Sequence, residues 1–453
     1  MAYNGFSFGS SERIMKRNIF IIFFLLIVFT LVFLFTRKDE EQKDHPLRFV
    51  SLAWQERSIE TNLSIVREWN ALHPDIEVEY IQGTWNSAHD YLITAFETGD
   101  VPDIFHYESS VIIDYAMRGY LTDLSPYISS EMKNDILEVA WATVTRPNGE
   151  VGGIPFLVES LVVLYNKALF QKAGIIPPTI ENPWTWGDLR NAARILTKDN
   201  DGDGYVDQYG AGFGLRSSAN IIMNTSISFG GSFFRKEGDH YLVKVAEEEK
   251  MLLQTIVDMI YKDKSVSPAS IGESGAGMIP GLFSGRYAML VGIGSWARQQ
   301  LVENAPENFS WGVMPPLIAK TQMYGVSTQT LSIPIKSKRK KEAMMFISYM
   351  LNSKNTARLA LDDWMIPARK SCLLMPEFKD TIGGWDITCS AVNTLGVGSW
   401  LGAPGYVEWK SRVANPVLQE LFAGRLSVAE AAKRIEHESN IVLSRYKKRG
   451  EVW

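Results

Sequence analysis

The sequence predicts an α/β protein of two lobes. The chain has 453 residues, more than one compact core takes up and enough for two. Apolar residues switch repeatedly between strand and helix spacing from Leu47 to Leu124. A Gly-Gly-x-Pro stretch at Gly152–Pro155 then leads into a second such region.

The first region reads in order. Leu47 to Leu52 forms a strand, and Ile59, Leu63, Val66 and Trp69 recur at helical spacing until Pro74 stops the helix. Ile76, Val78 and Tyr80 alternate as a strand. Tyr91, Leu92, Ala95 and Phe96 mark a helix that ends at Gly99, and Val101 to Phe105 is the third strand. Strand–helix alternation of this kind implies a twisted, mainly parallel sheet with helices on both faces.

Residues 151–194 organise the rest of the chain. Leu161 to Tyr165 is an apolar run with β-branched Val162 and Val163, a buried strand. Asn166 caps a short helix, Lys167 to Ala173, which stops at Gly174; Pro177 and Pro178 forbid helix, and Trp184 to Asp188 opens the next one. Farther on, Phe283 to Leu290 precedes Gly294-Ser-Trp296, Trp311 to Pro315 is a returning strand, and Ser327 to Ile335 is another. Ser337 to Leu351 is a helix with Ala343, Phe346, Ile347 and Met350 inward; Ser427 and Glu430 form a capping box for the last helix.

The ordered set Gly153, Pro155, Tyr165-Asn166-Lys167, Leu169-Phe170, Ala173-Gly174, Pro183, Thr185 and Trp186 resembles the extracytoplasmic solute-binding proteins of ABC importers, in the sugar-binding group that includes maltose-binding protein. The resemblance covers about residues 47–445. It implies a type II periplasmic-binding-protein-like fold with a ligand cleft at the hinge. It also implies a sugar or oligosaccharide ligand, permease subunits as partners and no catalysis. Lobe one is expected at 47–155 with 316–363, lobe two at 156–315 with 364–453, and crossings at Pro155 to Ser160, near Pro315 and near Pro367. A monomer is expected.

Composition agrees with a globular binder. Hydrophobic content is 46%, charged content 21% and net charge −5, which argues against nucleic acid as partner. The chain carries 13 Trp, 17 Tyr and 22 Phe, aromatic surface that suits either a core or a cleft for flat apolar ligand faces. Cys372 and Cys389 are the two cysteines, either a disulfide closing a small loop or two free thiols.

Residues 1–38 form a separate N-terminal tail. Ile19 to Phe35 is apolar apart from Thr30, and neither a small-x-small cleavage site nor a lipid-accepting cysteine comes after it. Arg13, Lys16 and Arg17 precede it, so an uncleaved anchor with its N-terminus inside is expected, placing the rest outside the cytoplasmic membrane; the alternative is cleavage of this segment and a secreted chain. Met15 begins an ordinary signal n-region and is an alternative start.

Asp199, Asp201, Asp203 and Asp207 occupy positions 1, 3, 5 and 9 of a Ca²⁺ loop, with Gly204 at position 6 and the Tyr205 carbonyl at position 7. Gly210 stands where a bidentate glutamate would complete the set, so the alternative is an Asx-rich turn. A bound Ca²⁺ would be structural.

Ligand contacts are expected at strand ends facing the cleft. Trp54 and Gln55 come directly after the first strand, and Glu108 after the third. The resemblance places a cleft glutamate at Glu159 and a sugar-stacking aromatic at Trp296. Trp400 and Trp85 add aromatic surface. The plain alternative for each tryptophan is core packing. Two other function classes remain open: a membrane-anchored carbohydrate enzyme using Glu108 and Glu159 as its carboxylate pair, and a binding protein serving a receptor. The six histidines lack metal-ligand spacing.

Overall fold

The computed structural model describes residues 45–448 except 239 and 382. In chain order its strands are β1 (Leu47–Ser51), β2 (Val78–Gln82), β3 (Ile104–Glu108), β4 (Ile154–Glu159), β5 (Leu161–Asn166), β6 (Tyr209–Phe213), β7 (Phe234–Glu237), β8 (His240–Val243), β9 (Tyr287–Gly294), β10 (Trp311–Met314), β11 (Tyr324–Gly325), β12 (Ser327–Ser332), β13 (Ile366–Pro367) and β14 (Leu395–Gly396).

The first lobe is built on a six-stranded sheet in the order β13-β4-β12-β3-β1-β2. β1 pairs in parallel with β2 and with β3, because a helix after each strand carries the chain back to the same end. β12 and β13 pair antiparallel with their neighbours. The second lobe has a four-stranded sheet, β10-β5-β9-β6. Only β6 and β9 are parallel there. β5 leaves the hinge while β9 and β10 return towards it, so both flank β5 antiparallel. Within these two sheets the parallel pairing, expected to predominate, is confined to β1 with β2 and β3 and to β6 with β9.

Both faces of the second sheet are buried, which explains the unbroken apolar run in β5. Val162 and Leu164 enter one core with Met278, Leu282 and Ile293. Val163 and Tyr165 point the other way, into a core with Leu189, Phe213 and Trp409. The register of β5 on β9 slips between Val162 and Val163. Gly292 is the extra residue, and its φ of +69° is the left-handed value such a bulge requires. The expected caps are present: Asn166 accepts from the Leu169 N–H, and Ser427 and Glu430 form a capping box; Thr185 and Asp188 form a further one for Trp186–Leu196.

The lobes are joined by three segments. Ser160 alone separates β4 in one sheet from β5 in the other. Val326 separates β11 from β12, and β11 pairs in parallel with β14, so the second and third crossings run side by side. The second crossing is therefore not near Pro315, since Met314 and Leu317 still belong to the second core. The third is not near Pro367 either. Ile366 and Pro367 pair with Val158 and Leu157 in the first sheet, and Cys372, Phe378, Trp385, Ala391 and Leu395 fill the first core. Residues 366–395 thus belong to lobe one, not lobe two, and the chain re-enters the second core at Trp400.

Cys372 and Cys389 are free thiols; Cys372 Sγ donates to the Ser353 carbonyl at 3.2 Å. The apolar segment Ile19 to Phe35 lies outside the described residues, and no helix among the described residues is long and apolar enough to cross a membrane.

Candidate functional site

A cavity of about 180 Å³ lies where the lobes meet. The carboxyl ends of the parallel strands β1 and β3 open onto it, the place where open α/β sheets present ligand-binding groups. Trp54 stands just past β1, Glu108 ends β3 and Glu159 ends β4. Trp296 comes from the second lobe, two residues after β9. Four of the residues expected from sequence, Trp54, Glu108, Glu159 and Trp296, therefore line one cavity, together with Trp85.

The glutamates have opposite environments. The Trp296 indole donates to Glu159 Oε1 at 3.1 Å, a hydrogen bond across the hinge. Burial and the negative charge of Glu108 push the Glu159 carboxyl up to about 7. Burial also opposes ionisation of Glu108, but Lys410 outweighs it and lowers its pKa. Lys410 Nζ sits 3.0 Å from Glu108 Oε1, and Ser110 donates to the same oxygen at 3.0 Å. Lys410 belongs to the turn of helix directly after Tyr406–Trp409 in the second lobe, so this ion pair also spans the lobes.

Gly294 makes room for the glutamate–indole pair. A Cβ there would lie 2.2 Å from both Glu159 Oε1 and Trp296 Nε1, which no side chain tolerates. Trp54, 43% exposed, meets Trp296 edge to face with ring centroids 5.4 Å apart.

Two expected contacts fall elsewhere. Gln55 is buried and donates to Asp363 Oδ1 at 2.9 Å and to the Asp363 carbonyl at 3.2 Å, so it positions that carboxylate and does not line the cavity. Trp400 is 3% exposed in the second core, stacked over Gly398, where a Cβ would lie 2.2 Å from the ring. Its bulk serves packing.

The cavity wall also holds groups that sequence reading missed: Asp363, Met365, His106, Gln329 and Leu52. Burial raises the Asp363 carboxyl to about 6. His106 Nδ1 accepts from the Leu52 N–H at 3.2 Å, so its Nε2–H donates to Gln329 Oε1 at 2.8 Å. Burial pushes its pKa down to about 4, and the ring stays neutral. The one sequence signal was His106 and Glu108 alternating with inward residues on β3; nothing local marks Asp363.

The acidic loop is a separate, exposed feature. Carboxylate oxygens of Asp199, Asp201 and Asp207 lie within 4.8 Å of one another. Asp199 accepts from the Gly202 and Gly204 N–H groups, and Asp203 accepts from the Tyr205 N–H. The Asp203 carboxylate is not in the converging group.

The profile of the bacterial extracellular solute-binding proteins matches residues 56–357. A lipoprotein from the oleD 5′ region of Streptomyces antibioticus is 40% identical over 387 residues, covering 85% of this chain and 84% of that one. The chain belongs to the bacterial extracellular solute-binding protein family. Among other members, the diacetylchitobiose-binding protein DasA of Streptomyces coelicolor is 24% identical, over 79% of this chain and 80% of its own. The fold matches that of an ABC substrate-binding protein from Listeria monocytogenes in complex with cycloalternan (TM-score 0.73, 21% identity, 88% of this chain and 99% of that one). It also matches the sugar-binding protein MalE of Xanthomonas citri (TM-score 0.76, 18% identity, 90% and 99%). In this solute-binding protein the interlobe cavity is the feature positioned to hold the solute.

Proposed function

We propose that this protein captures a sugar outside the cytoplasmic membrane and presents it to an ABC permease. The supporting observation is the cavity between the lobes, with tryptophan surface from Trp54, Trp85 and Trp296 facing the carboxylates of Glu108, Glu159 and Asp363. Indole faces pack on the apolar side of a pyranose, and carboxylates accept from its hydroxyls. At about 180 Å³ the cavity is below the roughly 300–1,000 Å³ of usual small-molecule sites. It takes one sugar ring, and a longer oligosaccharide extends from it as the lobes part. The named binders of sugars among the relatives support the same ligand class. A thermal-shift screen across sugars tests the reading: a ligand at 100 times its dissociation constant raises stability by about 2.7 kcal/mol. A screen in which only non-sugar solutes shift the transition overturns it.

A second reading has one observation behind it. Glu159 retains its proton to about pH 7 while Glu108 is ionised, the division of roles a glycosidase pair needs. The ion pair to Lys410 and the family favour binding without turnover, so an incubated oligosaccharide is returned unchanged; released sugar would establish the enzyme.

Residues 19–35 serve as the membrane anchor in this reading, in keeping with the lipoprotein relative. Recovery of the mature chain in the membrane fraction tests this. The Asp199, Asp201 and Asp207 oxygens hold a structural Ca²⁺ that pins the loop between Lys198 and Gln208, whose backbones bridge its stem.

A further inference from the structure

The charges around the cavity do not balance. Three carboxylates face it, and Lys410 neutralises one of them, Glu108. Among the described residues, neither Glu159 nor Asp363 has a cation within salt-bridge distance. Glu159 receives a single indole N–H, and Asp363 receives the Gln55 amide and the Ser58 hydroxyl, all of them uncharged donors. His106 cannot supply the missing charge. Its Nδ1 is consumed as an acceptor from the backbone and its Nε2–H is given to Gln329. The rest of the wall, Leu52 and Met365 with the tryptophans, is apolar or aromatic.

Carboxylates kept in such a wall without a counter-charge are costly for a neutral ligand, because hydroxyls offset only part of the lost hydration. A ligand cation offsets more. It also finds indole faces within reach, and aromatic rings attract cations most when water is excluded.

The geometry points to a solute carrying a protonated amine, an amino sugar, with its ammonium group between Glu159 and Asp363 and its ring against Trp296 and Trp54. This deepens the sugar-binding reading and rests on it. The upward shift of both carboxyls fits, since each awaits a positive partner and a bound ammonium would draw its proton off.

The same side chains set the test. Calorimetric titration of the full chain compares three probes: a β-linked glucosamine oligosaccharide, its N-acetylated counterpart and a neutral glucose oligosaccharide. Acetylation removes the charge and keeps the ring. The free-amine form should bind roughly tenfold or more tightly than either neutral form, the worth of one charge-assisted hydrogen bond. Glu159→Gln should erase that preference, bringing the free-amine form down to the affinity the same variant shows for the neutral sugars. If Glu159→Gln melts early, Asp363→Asn carries the comparison, because Gln55 can still hold the amide oxygen. Equal affinity for all three sugars, unaltered in both variants, overturns the amine assignment and leaves the sugar-binding reading standing. Absence of binding by any sugar, with a non-sugar solute bound instead, overturns both.

Discussion

Two neighbouring contacts between the lobes are built from the same kinds of side chain to opposite ends. At one, Arg298 from the second lobe, 4% exposed, lies 3.3 Å over the Trp364 ring, with Trp311 and Trp385 each 5.3 Å away. Asp380 and Asp386 supply opposing charge. At the other, Trp54, Trp85 and Trp296 surround Glu159 and Asp363, and Lys410 is committed to Glu108. Where the protein provides its own cation, tryptophans close on it and leave a packed contact. Where its one cation is already committed and carboxylates are left over, space remains for a solute. The comparison teaches that aromatic and acidic residues at an interlobe seam do not by themselves mark a ligand site; the charge balance and the open volume do.

The largest expected effect is at the packed contact. Arg298→Ala should lower unfolding stability by about 2–4 kcal/mol, through loss of desolvated cation–π contacts and the void left behind, with sugar selectivity unchanged. Denaturant titration measures the first and calorimetry the second; a stable variant with altered ligand affinity would reverse the roles of the two places. At the cavity, Trp296→Ala should weaken ligand binding by about 1–3 kcal/mol while the fold survives. Gly294→Ala should mimic it by pushing the Glu159–Trp296 pair apart. An unaltered affinity in the glycine variant would mean the pair does not shape the site.

A pH series sharpens the electrostatic half. Glu159 and Asp363 have folded pKa values raised to about 7 and about 6 from 4.5 and 3.8, so the folded state binds more protons and the ligand-free protein loses their stabilisation as pH rises through that window. His106, lowered from 6.5 to about 4, opposes them, because the unfolded state binds its proton more readily. The difference between wild type and Glu159→Gln cancels the other groups. The variant should gain on wild type between about pH 4.5 and 7 and run level above that; a flat difference in thermal melts counts against the buried, uncompensated carboxyl.

The smallest effect belongs to the exposed acids. If Ca²⁺ pins the loop, chelation should lower stability by on the order of 1 kcal/mol at a few times the dissociation constant, and Asp201→Asn should abolish that response. No response in wild type means solvent and backbone N–H groups suffice for these carboxylates.

Legibility in the sequence depends on range. Residues 151–194 were readable in detail because Asn166, Thr185 and Asp188 act on atoms a few residues away and β5 is apolar on both faces. The later crossings were misplaced because Pro315 and Pro367 look like punctuation, whereas the chain changes lobe where β11 meets β14, a pairing of residues about seventy apart. Asp363 escaped notice for the same reason: its place in the cavity depends on Gln55, 308 residues earlier. Trp400 was misjudged since a tryptophan after glycines reads alike in a core and in a cleft.

Small-angle scattering with and without saturating sugar tests the two-lobe clamp most directly. Contacts from both lobes, Glu159 and Trp54 on one side and Trp296 on the other, favour the closed form when a solute lies between them, so the radius of gyration should fall on binding. A sugar that binds tightly and leaves the radius of gyration unchanged would contradict the clamp.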